Sequence, residues 1–462
     1  MNEIANINTG DTEAASIDAL PHSIEAEQQL LGAILTTYEL TLDDVELVNV
    51  NWSLSPSLMS GQVDAVIGAF RNFELNQMEI EGVEGAYGSG LPQTLLGLGT
   101  ALQEQNAHAE AVEVFKRAMH VTRINEGLYN LDQVPILERL IESYIADENW
   151  EDANDRHSYL FWLHRRNFGQ SDTRLLPIIE KLSNWHLNLY TLNLSDGMHE
   201  HLITAHSLFK LAVNIIDSNS GNDDLRLVKS LRGLTVTNYF LRRYQAENAR
   251  KLNESARSGK APSAQQKAQL EQYNFNSYAS GKAAISRIVH VLNKHPDAEP
   301  SASSKAKVVL GDWYLLFDKW KSAQQTYHSA YSDLVEENAS PETIEALFGH
   351  PVALPDMPLM VSKVKEPDSK TPYVMVSFDV TALGKAKNVD IIEAMPNTSA
   401  RLKSRVRRSL KTAKFRPRFV DGEAVMTYGV THRYLFPVEG KKNSKKDPEK
   451  GSDEKPDSAS AA

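Results

Sequence analysis

The side chains best suited to chemistry fall into three groups. His199, Glu200, His201 and His206 bring three imidazoles and a carboxylate together. A helical zinc site places two histidines four residues apart with a glutamate beside the first, but here position 203 is Ile203. His199 and His206 still stand two turns apart on one face, where a shared ion competes with the plainer reading of a solvated helix edge. Asp217, Asn219, Asp223 and Asp224 offer the oxygens of a calcium loop, yet Gly221 is misplaced for its sharp turn and no glutamate closes it. A polar connection between helices is expected there, and no metal ligand is assigned. The third group is basic: nine bases and no acid lie between Arg401 and Arg418. Arg401, Arg405, Arg408 and Lys411 fit the outer face of one helix, which suits anionic headgroups or simple solvation. No aromatic platform interleaves with these bases, so nucleic acid is not an expected partner.

Catalytic signatures are lacking. The chain has no cysteine, which excludes thiolate nucleophiles and disulfides. No Gly-x-x-x-x-Gly-Lys-Ser/Thr loop occurs, Gly88-Ser89-Gly90 lacks a third glycine, and no nucleophile elbow is found. The expectation is a non-enzymatic chain with no catalytic residues and no cofactor.

The elements that must position these groups are mainly helical. Leu95, Leu98, Gly99, Leu102, Ala111, Phe115 and Ala118 set a spacing that returns at Leu310, Gly311, Tyr314, Ala323, Tyr327 and Ala330. Similar offsets occur at Leu137, Leu140, Tyr144, Ala153 and Leu160, and weaker ones at Ala205, Phe209, Ala212 and at Leu231, Leu234, Asn238. Self-similarity of this kind marks stacked helical hairpins, with small residues where helices cross (Gly99 against Ala111, Gly311 against Ala323) and large ones filling the gap between hairpins. Trp150 and Trp320 share one offset and are expected to seat hairpins together. The stretch Leu252 to Ala264, with Gly259 and Pro262, reads as a mobile connection. The pattern resembles tetratricopeptide repeats across residues 88–335, strongest in 92–165 and 304–331. That resemblance implies a concave face of first helices for protein or peptide partners, with Gln93, Thr94, Thr100, Gln103, Glu138, Arg139 and Glu142 as candidate contacts.

Beyond an expected extended linker at 336–371, spaced by prolines, the period changes to alternation. Val374, Val376, Phe378 and Val380 point one way, Leu383-Gly384-Lys385 turns the chain, and Val389 and Ile391 continue a second strand. A helix then carries Leu402, Val406, Leu410 and Ala413 inward, and Asp421-Gly422 makes a hairpin turn between 415–420 and 425–436. The expected order over 372–438 is β-β-α-β-β. The motifs Val376-Ser377-Phe378-Asp379-Val380, Gly384, Lys414-Phe415-Arg416-Pro417 and Asp421-Gly422 resemble the C-terminal domain of the TonB family of energy transducers. The resemblance implies a periplasmic module that pairs with an outer-membrane protein segment by strand addition. Its docking edge would be the last strand, with Thr427, Tyr428, His432 and Tyr434. The fold class is therefore mainly α: an α-solenoid of helical hairpins followed by a small α+β domain.

The first 85 residues differ in character. They hold fifteen acids and one base, Arg71, a net charge of −14, whereas the whole chain of 462 residues carries −11. Ala19-Leu20-Pro21-His22-Ser23-Ile24-Glu25-Ala26-Glu27-Gln28-Gln29-Leu30-Leu31 and the residues to Leu35 resemble the opening of bacterial replicative DNA helicases, within 1–37. Val50-Asn51-Trp52-Ser53-Leu54-Ser55-Pro56 through Phe70 is similar to periplasmic binding proteins for thiamine-pyrimidine precursors, within 38–87. That resemblance implies a βαβ fragment with Glu74 and Asn76 at a ligand edge. The two pieces share no mechanism, so a mosaic chain is one reading. The other is that solute binding or DNA association rides on the N-terminus. The tail 439–462 is charged and poor in apolar residues, which predicts disorder. No signal peptide or transmembrane run is read, so the chain as written is expected in the cytoplasm, and its natural parent in the cell envelope.

Overall fold

The structure is a computed structural model that describes residues 80, 85–194, 197–257, 276–355, 373–394 and 400–435, with backbone alone at 251–257. The N-terminal pieces, with Glu74 and Asn76, and the tail lie outside the described residues. The chain is mainly helical with a few small strands. It divides into two compact units, Met1–Ser277 and Tyr278–Ala462.

In the first unit, α1 (Leu91–Glu104), α2 (His108–Glu126), α3 (Gln133–Ala146), α4 (Trp150–Phe168), α5 (Leu176–Leu192), α6 (Met198–Ser220) and α7 (Leu227–Arg257) each pack on the next. Their apolar stripes merge into one core running from Leu91 and Leu95 through Leu137, Leu160 and Ile179 to Ile215. The hairpin turns repeat. Asn106 and Glu148 adopt positive φ, and the following amides, Ala107 N and Asn149 N, bond back five residues to the carbonyls of Leu102 and Tyr144 at 2.9 and 2.8 Å. A left-handed residue thus ends α1 and α3 and reverses the chain while satisfying an orphan carbonyl.

The helix crossings also seat rings on the small residues. A methyl group at Gly99 would overlap the Phe115 ring, and one at Gly233 the Phe209 ring, so an aromatic ring lies directly against each glycine. The ring fills more of the interhelical gap than an alanine could. Helix α7 continues to Arg257, so the first part of the expected loop at 252–264 is helical. Gly259 and Pro262, the breakers, come only after that end.

The second unit holds α8 (Ser277–Lys294), α9 (Ala302–Leu316), α10 (Trp320–Glu336), α11 (Pro341–Phe348), β1 (Val352–Leu354), β2 (Tyr373–Val380), β3 (Ala386–Ala394), α12 (Ala400–Thr412), β4 (Lys414–Arg416), β5 (Arg418–Val420), β6 (Glu423–Val425) and β7 (Thr427–Leu435). The α9–α10 turn repeats the first unit's device: Asp318 has positive φ and Lys319 N bonds Tyr314 O at 2.9 Å. Gly311 faces Tyr327, so here too a ring lies directly against the small residue. Trp320, expected as a seat between hairpins, is 44% exposed, whereas Trp150 lies 6.3 Å from Trp185 of α5.

The stretch 336–371 is not simply an extended linker, because it includes α11 and β1. Ser340 caps α11 by accepting from Thr343 N, with Pro341 at the first position. Among the described residues the strands form three small sheets: β3-β2-β7, β1-β4 and β5-β6, all antiparallel. The hairpin at Asp421-Gly422, both with positive φ, joins only β5 and β6, and β7 leaves it to pair with β2. As the alternation implied, Val374, Val376, Phe378 and Val380 face Val406 and Leu410 of α12 in one core, closed by Phe415. A second core unites α9, α10 and α11 with Phe419 of β5, so the helical hairpin and part of the strand region fold together.

Candidate interaction surfaces

In the first unit, consecutive first helices are tied by side chains. Gln103 Nε2 of α1 donates to Arg139 O and to Ser143 Oγ of α3, each at 2.8 Å. Lys181 of α5 pairs with Glu138 of α3 at 2.7 Å, and Lys229 of α7 pairs with Glu180 of α5. A polar ladder therefore joins α1, α3, α5 and α7. Two of the sequence candidates, Gln103 and Glu138, are rungs of it. Thr94 and Thr100 are half-buried and turn their hydroxyls back to Gly90 O and Leu96 O at 3.3 and 2.8 Å. Gln93 is exposed, and so are Arg139 and Glu142, which pair with each other at 2.9 Å. Of the seven candidates on the first helices, these three are the exposed ones, while Thr94, Thr100, Gln103 and Glu138 are half-buried.

The sequence reading missed a surface at the α2–α3 connection. Leu128 is 60% exposed, Tyr129 48%, and Trp162 of α4 44%. Trp162 stacks on Tyr159 with centroids 5.7 Å apart and meets Tyr129 edge-on at 5.5 Å, while the Arg166 guanidinium lies 5.2 Å from the Tyr129 ring. Gln133, fully buried, holds this patch from below. It accepts from Arg123 Nε at 2.7 Å and from the Tyr159 hydroxyl at 3.0 Å, and donates to Leu128 O and Asn130 O at 3.0 Å. The available signal was Gly127-Leu128-Tyr129, apolar side chains in a loop, where solvent normally selects polar ones.

The histidines of α6 do not converge. His199 stacks on Tyr244, His206 Nδ1 meets Thr237 Oγ1 at 3.0 Å, and His201 shares a ring-to-ring hydrogen bond with His186 of α5 at 2.9 Å. Among the described residues no group of three or more His, Cys, Asp or Glu could hold a metal ion. Burial instead pushes three imidazoles down: His157 to about 4, His186 to about 3 with His201 adding to the effect, and His206 to about 4. The acidic loop is a helix connection, as read. Asn219 Nδ2 donates to Ser171 O and Ile215 O, and Asp224 is held to about 2 by hydrogen bonds from Arg226.

In the second unit, β7 has β2 as its one strand neighbour among the described residues, which leaves its other side as an edge there. Tyr428 on that strand is 73% exposed. Thr427 pairs across with Val380, His432 with Val376 and Tyr434 with Val374, and His432 and Tyr434 make an edge contact at 4.7 Å. On α12, Arg401, Arg405, Arg408 and Lys411 are exposed, while Val406 and Leu410 face the sheet.

The basic run is not uniform. Arg416 is 3% exposed and forks onto Asp312 of α9, Nε to Oδ1 at 2.9 Å and Nη2 to Oδ2 at 2.6 Å. Its Nη1 donates to Leu347 O at 3.1 Å, and the Tyr327 hydroxyl donates to Asp312 Oδ1 at 2.7 Å. Lys414 pairs with Asp318. Two of the nine bases therefore fasten strand to helix. Asp312, a charge on the buried stripe of α9, was the visible sign.

Comparison with known proteins reaches the N-terminus. Residues 19–89 match the family described as NMT1/THI5 like. A putative thiamine biosynthesis protein of Haemophilus influenzae is 68% identical over 59 residues, 13% of this chain and 19% of that protein. The chain thus spans about a fifth of its curated relative's length. Among solved structures, the crystal structure of BtubC (BKLC) from P. vanneervenii superposes with a TM-score of 0.34 and 12% identity, over 62% of this chain and 94% of that one. The family match begins inside the stretch that resembles a helicase and ends before α1, so at its N-terminus this chain is similar to thiamine-related proteins.

Proposed function

We propose that residues 85–435 act as a non-enzymatic scaffold for protein partners, built of tetratricopeptide-like hairpins with a TonB-like strand module. The observation that carries this reading is the ladder joining α1, α3, α5 and α7, which lines up successive first helices as one continuous face. Partners would meet Gln93, Arg139 and Glu142 on that face, or add a strand along β7. The five exposed bases of α12, Arg401, Arg405, Arg407, Arg408 and Lys411, offer a further contact for anionic membrane surface. A cell-envelope setting follows from the TonB resemblance; no described helix is long and apolar enough to cross a membrane. The test is affinity capture from bacterial envelope extract with the full chain and with Gln93, Arg139 and Glu142 replaced by alanine. Specific partners should be lost from the variant while its melting temperature holds, and equal capture refutes the face.

A second reading has its own support and is the better supported by the comparisons. The match at residues 19–89 and the 68% identity to a thiamine biosynthesis protein favour recognition of a thiamine-pyrimidine precursor by the N-terminal segment. Calorimetric titration of the full chain with an aminopyrimidine thiamine precursor tests it. Absence of saturable heat overturns it and leaves the segment a fragment within a mosaic chain.

A further inference from the structure

We propose that the acidic N-terminal segment of this same chain, residues 1–79, docks on the aromatic and arginine patch formed by Ile124, Leu128, Tyr129, Tyr159, Trp162 and Arg166. The patch is built rather than incidental. Three of its apolar members, Ile124 at 49%, Leu128 at 60% and Tyr129 at 48%, are largely exposed on six consecutive residues, and Trp162 at 44% adjoins them from α4. Exposed apolar surface of this continuity is uncommon on a chain with no partner for it. Its loop is also rigidly set. Gln133 and Tyr159 fix the Leu128 carbonyl, and Asn167 Nδ2 donates to Tyr129 O at 2.8 Å, so little ordering remains to be lost on binding.

Charge selects the occupant. Arg165 and Arg166 turn their guanidiniums over the rings of Phe161 and Tyr129, and Arg123 lies over Tyr159. Against this cationic rim, residues 1–79 hold thirteen acids and one base. Location points the same way. Residue 80 marks where the acidic segment meets the first unit: Ile80 packs on the core beside Gly90 at the start of α1, and downstream Tyr87 sits against His120 and Gly88 O accepts from Asn125 Nδ2 at 3.4 Å, both on α2, the helix that carries Ile124. The acidic segment is therefore tethered to the α1–α2 hairpin, and a tether within one chain raises its effective concentration at the patch.

The absence of cysteine makes the test clean. Ser158→Cys, exposed one turn from Trp162, is labelled in the full chain with a benzophenone maleimide, irradiated at low salt and mapped by mass spectrometry. Cross-links within one chain to peptides of residues 1–79 are expected. The yield should drop roughly fivefold in high salt, or when Arg165→Glu and Arg166→Glu reverse the rim. The same label at Glu113→Cys, exposed elsewhere on α2, should capture little of that segment. Cross-links confined to the helices, covalent dimers in place of intrachain products, or equal yield from both labels would overturn the assignment.

Discussion

Replacing Asp312 with alanine probes how the strand region is fastened to its helices. The carboxylate is 4% exposed and accepts three hydrogen bonds, two from the Arg416 fork and one from Tyr327. Its removal takes the carboxylate away from a guanidinium that is 3% exposed. Breaking a buried pair on one side costs about 3–5 kcal/mol, mostly because the surviving charge stays desolvated. For a unit of this size that lowers the melting temperature by about 10 °C. Differential scanning calorimetry of the full chain reads the shift. Tyr327→Phe removes one neutral donor and should cost about 1 kcal/mol. The double variant Asp312→Leu with Arg416→Met should recover most of the loss, since two apolar side chains of similar volume need no partner. If Asp312→Ala melts within 2 °C of the parent, or the double variant is worse than the single, the reasoning from a desolvated charge fails.

Gly384 has φ +70°, and a methyl group there would overlap the Phe415 carbonyl, so Gly384→Ala should destabilise the second unit by about 2 kcal/mol or more in urea titration. At Gly99 the obstacle is the Phe115 ring, and Gly99→Ala should cost about 1–3 kcal/mol, largely relieved by adding Phe115→Leu. Acid acts through buried imidazoles. His157, with a pKa near 4 in the fold and an ordinary one near 6.5 unfolded, binds its proton more readily in the unfolded chain. Stability is therefore complete above about pH 6.5 and lost as pH falls toward 4, by about 2 kcal/mol at pH 5 from this residue. Urea midpoints at pH 7 and pH 5, compared with His157→Phe, should show the variant losing less.

Much of the helical design was legible in the chain because burial imposes a period. The stripes at Leu95, Leu137 and Leu160 and the alternation at Val374, Val376, Phe378 and Val380 occupy the cores that the periodicity called for. Turn chemistry was legible in part: Asp421-Gly422 does form a hairpin turn. Which strands that turn joins was not. A dipeptide sets local reversal, whereas the choice of β2 as partner for β7 depends on residues some fifty positions away.

Side-chain partners over long separations were beyond the sequence for the same reason. Arg416 looked like one more base in a solvated run, and only the approach of α9 makes it the buried partner of Asp312, 104 residues earlier. His199 and His206 share a helix face in the sequence, yet α7 receives them at Tyr244 and Thr237, two separate places. Periodicity states which face of an element must leave water. It carries no information on what meets that face, because packing partners are chosen by the three-dimensional crossing of elements rather than by local order.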